Sequence, residues 1–334
     1  MLSRRLLLGA TGFAAPALIR MPSARAQETV LRLHHFLPAV SNVHRFFLQP
    51  WAQKVAQDSG NRLRMQIFPA MQLGGAQENV QNVRAGTLQM IWVGMAFLSR
   101  TVPELEAISL PFQFDNRDQA FRIVDGPVGQ LLDAKMADKG LVSLGFLELG
   151  ARHVTNSKRP IKSVEDLKGL KIRMQPNETH LATFRALGAN PVAMDIKELY
   201  SAMQQGVVDG QENPFAVINA SRYFEVQKFV SNTGHFFDFI NVVVNKRAFD
   251  ALQPAQQKLL RDTMHKAALW QRDRARTEEN EAIAEIRKRG MQFDEVTPAF
   301  REQMRKGSAG VVEEVKKRIG ADLINRVQAE LAKK

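Results

Sequence analysis

Leu170-Lys171-Ile172-Arg173-Met174 and Pro191-Val192-Ala193-Met194 are two short segments that decide the fold. Each predicts a strand, and each precedes a helix-like stretch, at about Thr179–Leu187 and Lys197–Gln205, that stops at a glycine. Strands that alternate with helices along a chain are typical of a largely parallel sheet covered by helices. This part of the chain is therefore expected to be α/β.

The same order of elements occurs nearer the start of the chain. Val30–Phe36 and Leu63–Phe68 predict strands, Gly75–Ala85 predicts a helix that Gly86 ends, and Met90–Val93 predicts a short buried strand. The weak internal similarity predicts two α/β lobes built on one plan, each a mostly parallel sheet flanked by helices. Ligands of such sheets sit beyond the carboxyl ends of the strands, so the two lobes are expected to share one cleft.

Several helical segments lie outside these units. A helix follows Ser41-Asn42, and Pro50 inside it predicts a kink or a restart. From Pro254 to about Arg289 no Gly or Pro intervenes, which predicts a helix of roughly 54 Å that braces both lobes, the alternative being two helices with an unmarked break. Pro298–Arg318 and Ala321–Ala332 predict two final helices.

Composition limits the classes of protein. With 334 residues, 45% hydrophobic and 24% charged, the chain is expected to fold into about two domains. It has no cysteine, which excludes disulfides, thiolate metal sites and thiol nucleophiles. The net charge is +12, but four arginines lie in residues 1–26 and the rest is interleaved with acids. That pattern favours a solvated basic surface over a nucleic-acid-binding face.

The N-terminus reads as an export signal over residues 1–26. Ser3-Arg4-Arg5-Leu6-Leu7-Leu8 is a twin-arginine pattern, an apolar stretch continues to Ile19, and Ala24-Arg25-Ala26 fits a cleavage site. The twin-arginine and general secretion routes both remain open, and an uncleaved anchor is the alternative. The apolar stretch is shorter than the approximately 20 residues that span a bilayer. The mature protein is therefore expected outside the cytoplasm and not embedded in a membrane.

Enzyme motifs are scarce. The sequence has no Gly-rich phosphate loop, no Gly-x-Ser-x-Gly elbow and no His-Glu-x-x-His helix. His34-His35 lies on a predicted strand, where adjacent side chains point to opposite faces, so the pair is poorly placed to chelate one ion. We predict no cofactor, no metal and no catalytic residue.

Three polar residues near predicted strand ends are candidates for ligand contact. Arg152 follows the predicted strand Leu141–Leu149, and Arg173 ends another. A guanidinium in a cleft can hold a carboxylate through two parallel hydrogen bonds, although surface arginines are the alternative. Asn213 offers a donor and an acceptor in the phrase that ends at Pro214, where a capped turn is the alternative.

The chain resembles the periplasmic solute-binding subunits of tripartite ATP-independent periplasmic (TRAP) transporters, dicarboxylate-binding type. Five phrases match that family in order, across the mature chain from about Leu31 to the long helix. They are Pro69-Ala70-Met71-Gln72-Leu73-Gly74-Gly75, Leu110-Pro111-Phe112-Gln113-Phe114, Asp166-Leu167-Lys168-Gly169-Leu170-Lys171-Ile172-Arg173, Leu187-Gly188-Ala189-Asn190-Pro191-Val192 and Gly206-Val207-Val208-Asp209-Gly210-Gln211-Glu212-Asn213-Pro214.

The resemblance implies a two-lobed, periplasmic-binding-protein-like fold that closes over an organic acid in the periplasm. It implies delivery of that acid to a small and a large membrane subunit. The family's carboxylate-binding arginine falls on Arg173, a second site arginine on Arg152 and the ligand-contacting amide on Asn213. Lobe I would comprise about 28–150 plus 239–278, and lobe II about 151–238 plus 279–334.

The sequence also departs from the sialic-acid-binding relatives. Gly94 stands where they have an acid, Phe36 where they have an asparagine and Ile196 where they have a phenylalanine. A more apolar wall would follow, which predicts a monocarboxylate or oxo acid with an apolar or aromatic portion. The aromatic candidates for this wall are Phe36, Trp92, Phe112 and Phe215. The alternative is that these aromatic side chains belong to the core, and for Phe112 the core position is favoured.

Two other functions are compatible with this sequence pattern. A ligand-sensing receptor for a membrane signalling partner would use every site residue named above. A secreted enzyme on the same scaffold is the third reading, which the scarcity of catalytic motifs disfavours.

Overall fold

A computed structural model describes residues 28–333, and the predicted export signal therefore lies outside the described residues. The strands are β1 Thr29–His35, β2 Leu63–Phe68, β3 Met90–Gly94, β4 Leu141–Asn156, β5 Lys171–Met174, β6 Asn190–Ala193, β7 Gly210–Asn213, β8 Phe229–Asn245 and β9 Gln292–Glu295. The helices are α1 Gln49–Asp58, α2 Ala76–Ala85, α3 Met95–Leu98, α4 Arg117–Asp125, α5 Pro127–Asp138, α6 Glu178–Ala186, α7 Ile196–Gln204, α8 Phe215–Ala220, α9 Lys246–Asp250, α10 Pro254–Lys288, α11 Pro298–Gly307, α12 Gly310–Ile319 and α13 Ala321–Leu331.

One sheet runs through the molecule in the order β2-β1-β3-β8-β4-β7-β5-β6, and β9 pairs with β8. At one end β1 pairs in parallel with β2 and β3, and at the other end β5 pairs in parallel with β6 and β7. The mixed α/β class is confirmed. The two parallel ends are joined by the antiparallel pair β4 and β8, so the sheet is continuous.

The strand predicted at Leu141–Leu149 is too short, because β4 continues to Asn156. Gly150, which suggested an end, has a φ of +113°, and the pairing of β4 with β8 shifts register between Glu148 and Gly150. The glycine therefore bends the strand at a bulge instead of ending it. With 16 residues in β4 and 17 in β8, each strand can span roughly 50 Å and cross most of the molecule.

The long helix is confirmed as α10, with 35 residues from Pro254 to Lys288. It packs against β4, α8 and α1, so a single helix contacts elements that are far apart in sequence. Trp51 of α1 donates its indole N–H to Thr263 of α10 at 3.1 Å. The helix therefore ties α1 and α8 to β4, a central strand of the sheet.

The restart predicted at Pro50 is confirmed, whereas one of the later helix predictions is wrong. At Pro50 the chain restarts: Val43–Leu48 forms π-helical turns, and α1 begins at Gln49. The single helix predicted at Pro298–Arg318 is instead two, α11 and α12, because α11 ends at Gly307 and Ser308 turns its hydroxyl back to the carbonyl of Met304. The final helix, α13, is confirmed.

Within the part of the chain that the structure describes, no helix has the length and apolar character needed to cross a bilayer.

Candidate functional site

Arg173 lies on β5 and is completely buried. Its Nε donates to the carbonyl oxygen of Met194 at 2.9 Å, whereas Nη1 and Nη2 have no hydrogen-bond partner among residues 28–333. Burial lowers the pKa of Arg173 to about 10. A buried guanidinium with two unused donor groups is well suited to an anion that brings two oxygens.

Arg152, on β4, is equally buried but fully engaged. Its Nε lies 2.5 Å from Glu212 Oε2, and its Nη2 donates to Glu212 Oε1 at 2.8 Å and to Asn213 Oδ1 at 3.1 Å. Its Nη1 donates to Asp238 Oδ2 at 3.2 Å. His235 Nε2 lies 3.3 Å from Glu212 Oε2. The structure therefore places Arg152 in an internal ion-pair network, and its predicted contact with ligand stays a prediction.

The charges of this network shift its pKa values. Burial would raise the pKa of Glu212, but the charge and hydrogen bonds of Arg152 hold it well below its usual value. Burial raises the pKa of Asp238, although Arg152 opposes that shift. Glu212 is therefore the firmly ionised partner of Arg152 at neutral pH.

Asn213, the last residue of β7, also belongs to this network and connects it to Gln211. Its Nδ2 donates to Gln211 Oε1 at 2.5 Å, while its Oδ1 accepts from Arg152. Gln211 in turn donates to Thr155 Oγ1 at 2.9 Å. Arg173 pairs in register with Gln211 across β5 and β7, so the predicted anchor and amide lie on neighbouring strands.

The predicted aromatic wall divides between two places. The rings of Phe36 and Trp92 lie 5.2 Å apart, and both side chains are buried. Phe215 stacks on His153 with the ring centroids 3.9 Å apart. Phe112 lies in a separate apolar core, which was the favoured alternative for that residue.

A cavity of about 420 Å³ lies between the segment after β1, the centre of β4, α8 and α10. Trp92 and Phe215 line it, together with Ala151, the neighbour of Arg152. Arg173, Asn213, Phe36 and Gly94 are not part of its lining. The structure thus brings two predicted residues to this cavity and buries the others in the interior.

Gly94, at the end of β3, faces Gln175. A Cβ atom at Gly94 would lie 3.2 Å from Gln175 Oε1, and Gln175 Nε2 donates to Asp238 at 2.8 Å. The glycine therefore leaves room for a polar side chain that follows β5. Asp238 escaped the sequence prediction, since an isolated acid in a strand carries no motif.

The adjacent histidines have separate surroundings. His35 Nε2 lies 2.9 Å from His44 Nδ1, while both ring nitrogens of the buried His34 have no partner in the described part of the chain. Residues 28–333 contain no group of three His, Asp or Glu side chains that could hold a metal ion.

Comparison with known proteins shows which family shares this architecture. Residues 33–318 match the profile of the DctP family, the bacterial extracellular solute-binding proteins of family 7. A solute-binding protein of Verminephrobacter eiseniae is 34% identical over 267 residues, which are 80% of this chain and 79% of that protein. The 2,3-diketo-L-gulonate-binding periplasmic protein of Escherichia coli is 36% identical over 230 residues, 69% of this chain and 70% of that protein.

A solved structure shows the same fold. The TRAP periplasmic solute-binding protein of Polaromonas sp. JS666, bound to D-erythronate, has a TM-score of 0.86 and 35% identity, and the match covers 90% of this chain and 99% of that one. The expected two-lobed solute-binding fold is confirmed by this likeness. By family profile, sequence identity and fold, the chain belongs to family 7 of the bacterial extracellular solute-binding proteins.

Proposed function

We propose that this protein captures an organic acid with a single carboxylate, a hydroxy or oxo acid, and that Arg173 holds the carboxylate. The buried Nη1 and Nη2 of Arg173, unpartnered within residues 28–333, carry the proposal. A carboxylate would satisfy both groups in the bidentate geometry that guanidinium favours. Arg152 is the less suitable anchor, because Glu212 and Asp238 already neutralise it.

The ligands of relatives support this class. The Polaromonas protein is bound to D-erythronate in its solved structure, and the Escherichia coli protein is named for 2,3-diketo-L-gulonate. Each of these acids carries one carboxylate and several hydroxyl or oxo groups. In this chain Trp92 Nε1 and the ring nitrogens of His34 are buried polar atoms that lack a partner in the described structure. They could bond hydroxyl or oxo groups, while the ring of Phe36 covers the apolar part of the ligand.

Capture would proceed by closure of the predicted lobes, 28–150 plus 239–278 on 151–238 plus 279–334. The long strands β4 and β8 join the two ends of the sheet, so bending would occur within them. A ligand shifts the population toward the closed form only by its higher affinity for that form. Closure excludes water and strengthens the pairing of the carboxylate with Arg173.

We place the protein in the periplasm, exported by the signal at residues 1–26, by the twin-arginine or the general route. From there it would deliver its ligand to the small and large membrane subunits of a TRAP transporter. Family membership and the periplasmic relatives support this role. We propose no catalytic activity.

A thermal-shift screen tests the proposal. The protein is purified from the periplasm after expression of the full chain and mixed with monocarboxylates, dicarboxylates, oxo acids and sugar acids. A ligand at 100 times its dissociation constant stabilises the folded state by about 2.7 kcal/mol. We expect hits among hydroxy or oxo monocarboxylates, and mass spectrometry after denaturation will identify any acid that co-purifies.

The variant Arg173→Ala should weaken binding of the hit by about 2–5 kcal/mol, or roughly 30-fold and more. Arg185→Ala is the matched control, since Arg185 lies on the neighbouring α6 and is exposed. Unchanged affinity in Arg173→Ala would contradict the anchor. Conversion of the bound acid to a product would identify an enzyme instead.

A further inference from the structure

Asp195 connects two helices that belong to opposite ends of the sheet. It directly precedes α7, and its Oδ1 accepts from the backbone N–H of Lys197 at 3.0 Å. Its Oδ2 accepts from the backbone N–H of Gln77, in the first turn of α2, at 2.9 Å. One carboxylate therefore caps its own helix and a helix that lies 118 residues earlier in the sequence.

Helix α2 is built to receive this carboxylate. Its N-cap residue is Gly75, which has no side chain to cap the helix. A Cβ atom at Gly75 would lie 2.9 Å from both Cγ and Oδ2 of Asp195, so a larger residue would push the carboxylate away. The free N–H groups and the positive end of the helix dipole favour an anion at this place.

The same carboxylate stands beside the proposed anchor. Met194, the preceding residue, accepts the Nε hydrogen bond of Arg173. Burial lowers the pKa of His34 to about 4, and the charge of Asp195 opposes that shift. Asp195 therefore lies near two buried side chains, Arg173 and His34. Nη1 and Nη2 of Arg173 and both ring nitrogens of His34 are unpartnered in the described residues.

We propose that Asp195 is a specificity-determining residue that closes the cleft over monocarboxylates and rejects dicarboxylates. The inference rests on the proposed function, because it assumes that one carboxylate of the ligand binds Arg173. A second carboxylate at the far end of the ligand would meet the fixed charge of Asp195, and the N-terminus of α2 that could have bound it is already occupied. Like charges brought together in a binding site are strongly unfavourable.

A ligand whose far end is a neutral hydroxyl group is attracted to Asp195 instead of repelled by it. Each carboxylate oxygen has more than one lone pair, so a ligand hydroxyl can donate to Asp195 while the two helix caps remain in place. The residue thus combines an attractive contact for a hydroxy acid with a repulsive one for a diacid.

Paired ligands test the inference. D-Erythronate and meso-tartrate share a four-carbon skeleton and differ by oxidation of the far end, as do D-gluconate and D-glucarate with six carbons. Dissociation constants are measured by calorimetry for wild type, Asp195→Asn and Asp195→Ala. Asp118→Asn is the control, an exposed acid on α4 that loses the same charge far from Arg173 in sequence.

We expect wild type and Asp118→Asn to prefer the monocarboxylate of a pair by at least about tenfold, and Asp195→Asn to reduce that preference by about tenfold or more. Equal binding of both members by wild type, or an unchanged preference in both Asp195 variants, would overturn the inference. The proposed function is judged separately, since Arg173→Ala should weaken binding of either member by roughly 30-fold or more. Failure of wild type to bind any acid of either pair or of the thermal-shift panel would overturn both.

The cap itself is measurable without ligand. Amide hydrogen exchange at Gln77 should be at least about tenfold faster in Asp195→Ala, because the carboxylate acceptor is lost. Thr297→Ala, which removes the cap of α11, is the control and should leave Gln77 unchanged. Equal exchange at Gln77 in Asp195→Ala and wild type would overturn the bridging role.

Discussion

Gln271 of α10 binds both backbone groups of Glu148 in β4. Its Oε1 accepts from the Glu148 N–H at 2.9 Å, and its Nε2 donates to the Glu148 carbonyl at 3.0 Å. The register of β4 with β8 shifts at this residue, so the side-chain amide takes the place of a neighbouring strand. The long helix is thereby fixed to the strand at its bulge.

We predict that Gln271→Leu destabilises the protein. Two buried backbone groups lose their partners, at about 1–3 kcal/mol each. Urea unfolding followed by circular dichroism measures the loss. Lys266→Leu, an exposed change on the same helix, should alter the free energy of unfolding by less than about 0.5 kcal/mol. Equal stability of Gln271→Leu and wild type would show that the helix is held elsewhere.

The two buried arginines should respond oppositely to replacement in the ligand-free protein. Arg152→Met leaves Glu212 and Asp238 as buried charges without their cation, and we expect a loss of about 3–5 kcal/mol. Arg173→Met removes a buried cation that has no carboxylate partner in residues 28–333, so stability should be unchanged or higher. Chemical denaturation of both variants gives the comparison.

A second change checks the cause. Glu212→Gln added to Arg152→Met should recover part of the loss, because the unpaired charge is removed. A loss in Arg173→Met as large as in Arg152→Met would mean that Arg173 is paired within the protein.

His180 should make stability sensitive to acid. It is fully buried, stacks on Phe236 at 4.0 Å, and burial lowers its pKa to about 3. Between pH 6.5 and the folded pKa the unfolded chain binds a proton that the folded protein does not. Stability is therefore lost as pH falls, by up to about 1.4 kcal/mol per pH unit for this group.

The measurement is the difference in unfolding free energy between His180→Leu and wild type at pH 7 and pH 5. A difference is needed because burial raises the pKa of Glu148 to about 7, which gives a pH dependence of opposite sign. We expect His180→Leu to gain stability relative to wild type at pH 5. The exposed His265→Leu is the control. A pH-independent difference for His180→Leu would contradict its neutral burial.

Gly206, after α7, and Gly210, the first residue of β7, should tolerate replacement differently. Gly206 has a φ of +71° with open space around it, so Gly206→Ala should cost about 1–2 kcal/mol and Gly206→Asn less. At Gly210 a Cβ would overlap the carbonyl of Thr155 and lie 2.8 Å from the Cβ of Asn156, so Gly210→Ala should cost more and Gly210→Asn should give no relief. Melting temperatures of the four variants measure these costs. Equal losses of stability at Gly206 and Gly210 would contradict the steric explanation.

Much of the fold was predictable because its signals are local. The positions of β2, α2 and α10 follow from apolar spacing and from the Gly or Pro that ends or begins each element. The length of β4 was not predictable, since Gly150 is a strand end in isolation and a bulge only when β8 lies beside it.

The site was predictable in part. The position of Arg173 follows from its place on β5, and the resemblance named its role. The engagement of Arg152 by Glu212 and Asp238 depends on residues 60 and 86 positions away, which no local pattern joins. Asp195 was not among the predicted site residues, and only the folded chain brings the backbone N–H of Gln77 to its Oδ2.

The position of β8 between β3 and β4 also governs the order in which the chain can acquire structure. During synthesis β3 is complete early, but its antiparallel neighbour emerges only after β4, β5, β6 and β7 have been made. Until then β3 offers an unpaired edge to other chains. Pairing of that edge must therefore wait for the last third of the polypeptide, and until then a chain of this topology is exposed to aggregation.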